Sequence, residues 1–376
     1  MTRFKKPCML ILVGFSLGWI LTYIFYKNAL DMANITISKL QLIRNTSVYN
    51  NLTTSTLKNN VPTLSHLIKK QLIVSTVSTT KRNVGLISDK EAGIVYSRSQ
   101  TKWEVQSSMC KRNTSGFYRA TLRVPPGSTT IYIYDPKIDI WVSGNVVKYG
   151  SWEGNNINLI IDLLIREPDI QFVDIGANVG VFTLAAALAG RRVIAVDALD
   201  MNVQRLCSSV MEGNFSSRVK LVYNALSDVH ETVSLGKDKN NVGGTFVAKN
   251  KNSNKVRGSQ VVGNYGTVQA IKLDDILSLP NFDFKKVIMK IDVEGYENKV
   301  FKGGEEFFNK VDVQAILMEW LWLRTGSAGE EIINFMLKKN MEPHIPNRMP
   351  SPLPIHDRAK WPADILWRKK TNKKMI

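Results

Sequence analysis

Cysteine is scarce in this sequence, and what there is does not cluster. The three are Cys8, Cys110 and Cys207. No Cys-x-x-Cys pair and no cysteine–histidine cluster occurs, which argues against a structural zinc site. Cys8 falls in an apolar run. Cys110 and Cys207 are left as a candidate disulfide if their domain lies in an oxidising lumen, although spacing alone does not bring them within bonding range. Internal repeats are lacking and no heptad is sustained, so neither a solenoid nor a coiled coil is indicated. Acidic residues are outnumbered, 32 against 50 lysines and arginines, for a net charge of +18. That excess suits nucleic acid, an anionic membrane or an acidic substrate such as a sulfated glycan. It suits a solvated surface equally well, because the basic residues are dispersed and form no stripe. The densest run, Arg368, Lys369, Lys370, Lys373 and Lys374, reads as a frayed end.

Residues Cys8 to Tyr26 are apolar, interrupted only mildly by Ser16 and Thr22. Nineteen residues at helical rise nearly span a bilayer core. Arg3, Lys5 and Lys6 precede the run, so the positive-inside rule keeps residues 1–7 cytosolic and sends the rest to the lumen or outside. The run is long for a signal-peptide core and no small-x-small cleavage site follows, which favours an uncleaved signal-anchor over residues 8–26 and a single-pass type II protein. Residues 27–102 are rich in Ser, Thr, Asn and Lys and nearly free of aromatics, a composition that reads as a disordered stem. Asn34, Asn45 and Asn51 in that stem open glycosylation sequons, as do Asn113 and Asn214 further on. These signs place the protein in the Golgi or another secretory-pathway lumen.

The globular part begins near Trp103, with residues 103–168 as an N-terminal extension and 169–370 as the main domain. Thr130 to Tyr134 and Ile138 to Val142 read as short strands around an Asp135-Pro136-Lys137 turn. A helix is predicted over Asn156 to Leu164. Strand and helix then alternate, which implies a mostly parallel sheet. The predicted core strands are Gln171 to Ile175, Arg192 to Val196, Val219 to Asn224, Val287 to Ile291 and Val313 to Met318. Helices are predicted over Val181 to Ala189, Met201 to Met211, Tyr296 to Phe301 and Glu330 to Lys339. Glu342 to Ile345 and Asp364 to Trp367 would close the sheet as an antiparallel pair, making seven strands.

One segment concentrates the chemistry. Val173-Asp174-Ile175-Gly176-Ala177-Asn178-Val179-Gly180 ends a strand in a carboxylate and turns tightly on glycine into an Ala-rich helix that is apolar on all sides and should be buried. Gly176 lets the backbone approach a ligand closely. The second strand also ends in an acid, Asp197, which could take both ribose hydroxyls of a nucleoside. Up to here a nicotinamide enzyme and an S-adenosylmethionine enzyme fit alike. A dinucleotide fold wants G-x-G-x-x-G, with the pyrophosphate on the helix N-terminus. Here Asn178 replaces the second glycine. S-adenosylmethionine has no phosphate, and its cationic ammonium and sulfonium make a carboxylate such as Asp174 useful where a pyrophosphate would be repelled. This favours S-adenosylmethionine as cofactor.

The chain resembles the FkbM family of class I methyltransferases. Val173 to Gly180 carries the resemblance, with Asn224-Ala225-Leu226-Ser227-Asp228, Asn241-Val242-Gly243-Gly244-Thr245, Leu273-Asp274-Asp275, Lys290 to Glu297, and Met318-Glu319. Tyr134-Asp135-Pro136, Gly150-Ser151-Trp152-Glu153 and Trp361 to Trp367 look like animal members that carry a membrane anchor. The resemblance implies a Rossmann-like α/β fold and O-methylation of a hydroxyl. It also implies a cofactor site drawn from Asp174, Gly176, Asn178, Gly180, Asp197, Ser227 and Asp228. Asp197 departs from the glutamate common in the family and would reach the ribose with a shorter arm.

Asp292 and Glu294 fall at and just past the end of a core strand, where open α/β sheets bind ligands. Asp292 could orient the cofactor or act as base, with Glu294 as the alternative base, since an alcohol holds its proton firmly. The bland alternative is that both cap the next helix, with Gly295 for the turn. Asp292, Glu294 and Glu319 could in principle gather a cation, but no sequence rule puts them on one centre, and no metal is expected. His344 and His356 lie in a Pro-rich loop where a substrate lid could sit; a lone loop histidine is more often solvated. Most tryptophans suit packing, and Trp320 and Trp322, next to Glu319, are the better candidates to face a substrate.

The expected partners are a small-molecule or glycan acceptor and, through the N-terminal helix, a membrane. Nucleic acid is not expected: no Asn-Pro-Pro-Tyr-type motif occurs, and anchor and sequons place the domain elsewhere. A non-catalytic scaffold with a retained cofactor fold is the alternative, against which the complete Asp174 to Gly180 turn argues.

Overall fold

The computed structural model describes residues 94–99, 101–110, 113–237, 242, 244–248, 255–256, 259–260 and 264–370. The expected anchor at 8–26, most of the stem with its three sequons, Asn241 and Gly243 lie outside them. Among the described residues no helix is long and apolar enough to cross a membrane.

Apolar runs build the centre of the molecule. Five strands, β5 (Gln171–Ile175), β6 (Val193–Asp197), β7 (Val219–Tyr223), β14 (Lys286–Ile291) and β15 (Asp312–Glu319), are mostly apolar. Such runs belong in a sheet covered on both faces, and these strands pair parallel with one another. Two further strands, β16 (Met341–His344) and β17 (Asp364–Lys369), join antiparallel beside β15. All seven predicted sheet strands are present, within one or two residues of their expected ends. Arg368 and Lys369, expected in a frayed tail, instead belong to β17, paired with Ala315 and Met341.

The sheet is nevertheless wider than predicted. The Val95–Arg98 strand (β1) pairs parallel with β7, and Trp103–Val105 (β2) folds back on it, for the order β16-β17-β15-β14-β5-β6-β7-β1-β2. The boundary at Trp103 is therefore too late. Val95 and Tyr96 are buried core residues inside a segment whose overall polarity reads as stem. Val95-Tyr96-Ser97-Arg98 has only two apolar residues, and so short a strand leaves little trace in composition.

Helices α1 (Val142–Tyr149), α2 (Gly154–Arg166), α3 (Val181–Leu188) and α4 (Asp200–Glu212) share one core with the hairpin of β3 (Tyr118–Val124) and β4 (Gly127–Ile133). Ile138 to Val142 is not a strand. The Asp139 carboxylate accepts from the Ser143 N–H at 3.0 Å and from its hydroxyl, closing the turn that starts α1. As predicted, α3 is buried all round, from Val181 to Ala187. The other face of the sheet packs α5 (Glu297–Lys302), α6 (Glu305–Lys310) and α7 (Ser327–Lys338). Beside the main sheet lies a smaller one of β8 (Ala225–Leu226), β9 (Glu231–Lys237), β10 (Thr245–Ala248) and β13 (Asn264–Ile271), and a short hairpin joins β11 (Lys255–Val256) to β12 (Ser259–Gln260). The smaller sheet was not predicted.

Cys110 and Cys207 form a disulfide, with Cα atoms 5.3 Å apart, tying the segment after β2 to α4.

Candidate active site

A cleft of about 200 Å³ opens at the C-terminal ends of β5, β6, β14 and β15. Its position follows from the topology: β6 and β14 flank β5 on opposite sides, so the chain reverses direction across the sheet there and leaves a crevice.

The turn Gly176–Gly180 forms one wall. Gly176 adopts φ 79°, and a Cβ there would lie 1.8 Å from the Asp292 carbonyl oxygen, so glycine is what allows β5 to run beside the β14 end. Each N–H of the turn has a partner within the protein. Gly176 and Ala177 donate to the Val196 carbonyl at 2.9 and 3.0 Å, Asn178 to Asp197 Oδ2 at 2.7 Å, Val179 to Asn178 Oδ1 at 2.7 Å, and Gly180 to the Ala177 carbonyl at 2.9 Å. A pyrophosphate cradle needs such donors aimed outward. This turn, from Gly176 to Gly180, has none to offer, so the glycine-loop half of a dinucleotide cradle is missing.

Two acids support the turn. Asp174 is buried, and its Oδ2 accepts from the Thr183 hydroxyl at 2.6 Å, while Oδ1 is buried with no partner. Burial raises its carboxyl above the usual value, against the pull of Lys290 and Thr183. Asp197 Oδ1 accepts from the Leu199 N–H at 2.8 Å and the Asn202 amide at 3.1 Å. Burial pushes Asp197 up to about 7 despite these N–H donors. A carboxylate oxygen carries two lone pairs. Asp197 Oδ2, with one N–H on it, keeps acceptor capacity on a residue that lines the cleft.

Lys290 is the cation of the site. It is 7% exposed, its Nζ donates to Asp292 Oδ2 at 2.9 Å, and it lies 4.9 Å over the Phe182 ring. Burial works against its charge, but Asp292, Glu153 and Asp174 outweigh burial and hold its pKa above the usual lysine value. Asp292 and Glu294 also line the cleft. Glu297 closes the bend that leads into α5, accepting the N–H groups of Val293 and Gly295 at 3.1 and 3.0 Å. Glu153, left-handed at φ 51°, lines the cleft as well. The Asn156 amide bridges Glu153 Oε2 to Asp364 Oδ2, each at 3.0 Å, joining two blocks far apart in sequence. Burial raises both acids.

Apolar walls come from Val196, Leu226, Leu235 and Phe246, with Trp152 and Tyr296 at other points of the lining. Among the described residues the lining holds six carboxylates, Glu153, Asp174, Asp197, Asp292, Glu294 and Glu319, and one cationic side chain, Lys290. That excess gives the lining an acidic character in a chain that is basic overall, although burial raises Glu153, Asp174 and Asp197. Among the described residues no group of three His, Cys, Asp or Glu is arranged to hold a metal ion.

Several expected residues sit elsewhere. Gly180 does not line the cleft; with φ 93° it packs against Leu206, whose Cδ1 a Cβ would meet at 2.1 Å. Ser227 and Asp228 are also off the lining. The chain leaves the cleft after Leu226, and Asp228 pairs with Lys299 at 2.8 Å. Trp320 is fully buried against Trp361, ring centres 4.9 Å apart, and donates to the Arg358 carbonyl. His344 is a buried strand residue beside Glu342, and His356 is exposed. Sequence reading assigned no role to Glu153, Lys290 or the walls from the smaller sheet. A lysine inside the apolar run Val287 to Ile291 was the available signal for one of them.

Residues 174–342 match the family model of the methyltransferase FkbM domain. No curated protein matches the chain. Similar solved structures include a SAM-dependent methyltransferase from Agrobacterium tumefaciens, 8% identical, covering 72% of this chain and 73% of that one, TM-score 0.35. The O-methyltransferase from Bacillus cereus in complex with SAH is 11% identical, with 60% and 84% covered and a TM-score of 0.33. Precorrin-6y C5,15-methyltransferase from Geobacter metallireducens GS-15 is 13% identical, with 57% and 87% covered and a TM-score of 0.30.

Proposed function

We propose, with residues 174–342 as an FkbM methyltransferase domain for premise, that this chain uses S-adenosylmethionine to methylate a hydroxyl of a glycan or other acceptor in the secretory pathway. The observation that carries the cofactor is the buried, unpartnered Asp174 Oδ1 beside a turn whose N–H groups are all engaged. A buried acceptor without a partner is costly and calls for a donor. A ligand bearing an ammonium supplies one, and a phosphate does not.

Bound there, the cofactor would supply an electrophilic methyl group on a sulfonium. The remaining lone pair of Asp197 Oδ2 accepts from one ribose hydroxyl. Leu226, Leu235 and Phe246 offer an apolar slot for the base. Asn178 and Gly180 act indirectly, one donating to Asp197 and the other letting Leu206 close behind the turn. Ser227 and Asp228 have no part in this reading. The proton of the acceptor hydroxyl goes to a carboxylate on the wall. Asp292, Glu153 and Glu294 all line the cleft and are the candidate acceptors, Asp292 with Lys290 on its Oδ2 and Glu153 with the Asn156 amide on its Oε2.

The cleft's charge argues against a polyanionic acceptor, which would have to bring its phosphates against six carboxylates. The secretory location rests on the sequence features at residues 1–53 and is supported by the Cys110–Cys207 disulfide, since such bonds persist in oxidising compartments. Asn113 and Asn214 are exposed, as glycan carriers need to be. Calorimetric titration of the purified protein with S-adenosylmethionine tests the cofactor. Micromolar binding that Asp174→Ala abolishes is expected; a folded protein that does not bind would shift the reading to a non-catalytic scaffold. Resistance of the cellular protein to glycosidase would overturn the location.

A further inference from the structure

We propose that Lys290 and Asp174 form a clamp for the zwitterionic amino-acid end of the methyl donor, with Lys290 Nζ holding its carboxylate and Asp174 Oδ1 its ammonium. This rests on the donor assignment above. The donor carries a single anionic group, that carboxylate. Helix N-termini and glycine turns commonly supply N–H groups for such a group, but here the N–H groups from Gly176 to Gly180 are all engaged inside the protein, which leaves only the first turn of α3 as a backbone donor beside Lys290. Among the described residues, Lys290 is the only cationic side chain on the cleft lining.

The two side chains are placed as a pair. Lys290 and Asp174 are register partners across the parallel β14–β5 ladder, so they emerge on the same face of the sheet. That face is the one α3 covers: Asp174 bonds Thr183 and Lys290 lies over Phe182, both α3 residues. Their bonding capacities are complementary. The ammonium of Lys290 has three donors, and one hydrogen bond, to Asp292, is made. Asp174 has an oxygen with none. A cation buried in an acidic cleft raises ligand affinity only if it meets the ligand's one anion. The carboxylates around Lys290 outweigh its burial and hold its pKa above the usual lysine value, which suits an electrostatic anchor better than a base.

The test compares two ligands that differ only in that group, S-adenosylmethionine and its decarboxylated form, by calorimetry on the full chain in detergent. The unmodified protein should bind S-adenosylmethionine tighter by about tenfold or more, the effect of one charge-assisted hydrogen bond. In Lys290→Met the ratio should fall to within about twofold. Lys290→Gln, whose amide still donates to Asp292, serves if the methionine variant does not fold. Equal binding of both ligands by the unmodified protein, or a ratio that survives in the variants, overturns the clamp. A folded, cooperatively melting protein that binds neither overturns the donor assignment, and the clamp with it.

Discussion

Asp174 on β5 and Thr183 on α3 are joined by a hydrogen bond of 2.6 Å that leaves the second carboxylate oxygen buried and without a partner. The acid is thus fixed by one oxygen and available by the other. Asp174→Asn should keep a partner for Thr183 and relieve the burial of a charge, so thermal stability should hold or rise. Affinity for S-adenosylmethionine should fall by about tenfold or more. A thermal melt paired with calorimetry reads both, and a variant that loses stability without losing affinity would make Asp174 a structural residue only.

Asp197 gives the site a dependence on pH. Its folded pKa of about 7 lies above the unfolded value near 3.9. The fold therefore favours the protonated form, and this group's contribution to stability is complete below about pH 4 and lost as pH rises through about 7. A ribose hydroxyl donating to Asp197 favours the carboxylate instead. Cofactor affinity should then climb with pH to about 7 and level off, with a proton released on binding near pH 6.5. Titrations in two buffers of different ionisation heat measure that proton, and its absence would remove Asp197 from the ribose contact.

The two glycines of the turn should respond unequally. In Gly176→Ala the new methyl meets backbone, the Asp292 carbonyl, at 1.8 Å. In Gly180→Ala it meets the end of the Leu206 side chain, which can move. Both also force a left-handed residue, at about 1–2 kcal/mol. Gly180→Ala should lower stability by roughly that amount, whereas Gly176→Ala should prevent folding or abolish cofactor binding. Chemical denaturation ranks them, and equal loss would contradict the geometry.

Reduction should weaken the fold. The Cys110–Cys207 bond closes a loop of 97 residues, for which chain entropy predicts a contribution of about 4–5 kcal/mol. Calorimetric melts with and without reductant, and Cys110→Ser, should agree on a loss of that order. Identical melts would mean that the bond does not form in the protein as made.

Trp320→Ala should act as a core deletion, costing about 3–5 kcal/mol. Trp152→Ala, at the partly exposed cleft wall, should leave stability nearly unchanged and alter ligand affinity. Denaturation midpoints of the pair decide which tryptophan belongs to the site.

Trp320 also illustrates what a sequence conceals. Its neighbour Glu319 lines the cleft, so Trp320 was expected to face a substrate. Successive residues at a strand end turn to opposite sides, and Trp320 goes into the core with Trp361. The cofactor turn, the order of the parallel strands and the burial of α3 were legible because each is written in contiguous residues: a strand, a glycine turn, an apolar helix. Lys290 beside Asp174, and Glu153 joined through Asn156 to Asp364, were not, because register between distant strands carries no local pattern. Ser227 and Asp228 lie off the lining for a related reason. Their motif does reach the cleft, but through Asn224, Ala225 and Leu226, and the chain has turned away one residue later.

The strand order bears on how the protein is made. β17 is the last strand of the described residues, yet it inserts between β15 and β16, and its Asp364 completes the bridge that holds Glu153. While the ribosome is still extending the chain through residues 320–363, the outer edge of β15, with Ala315, Ile316, Leu317 and Met318, has no strand to cover it. Such an open apolar edge is where a nascent chain pairs wrongly. Assembly of this domain is therefore closed from its C-terminal side, and synthesis must pass Lys369 before the cleft reaches its final form.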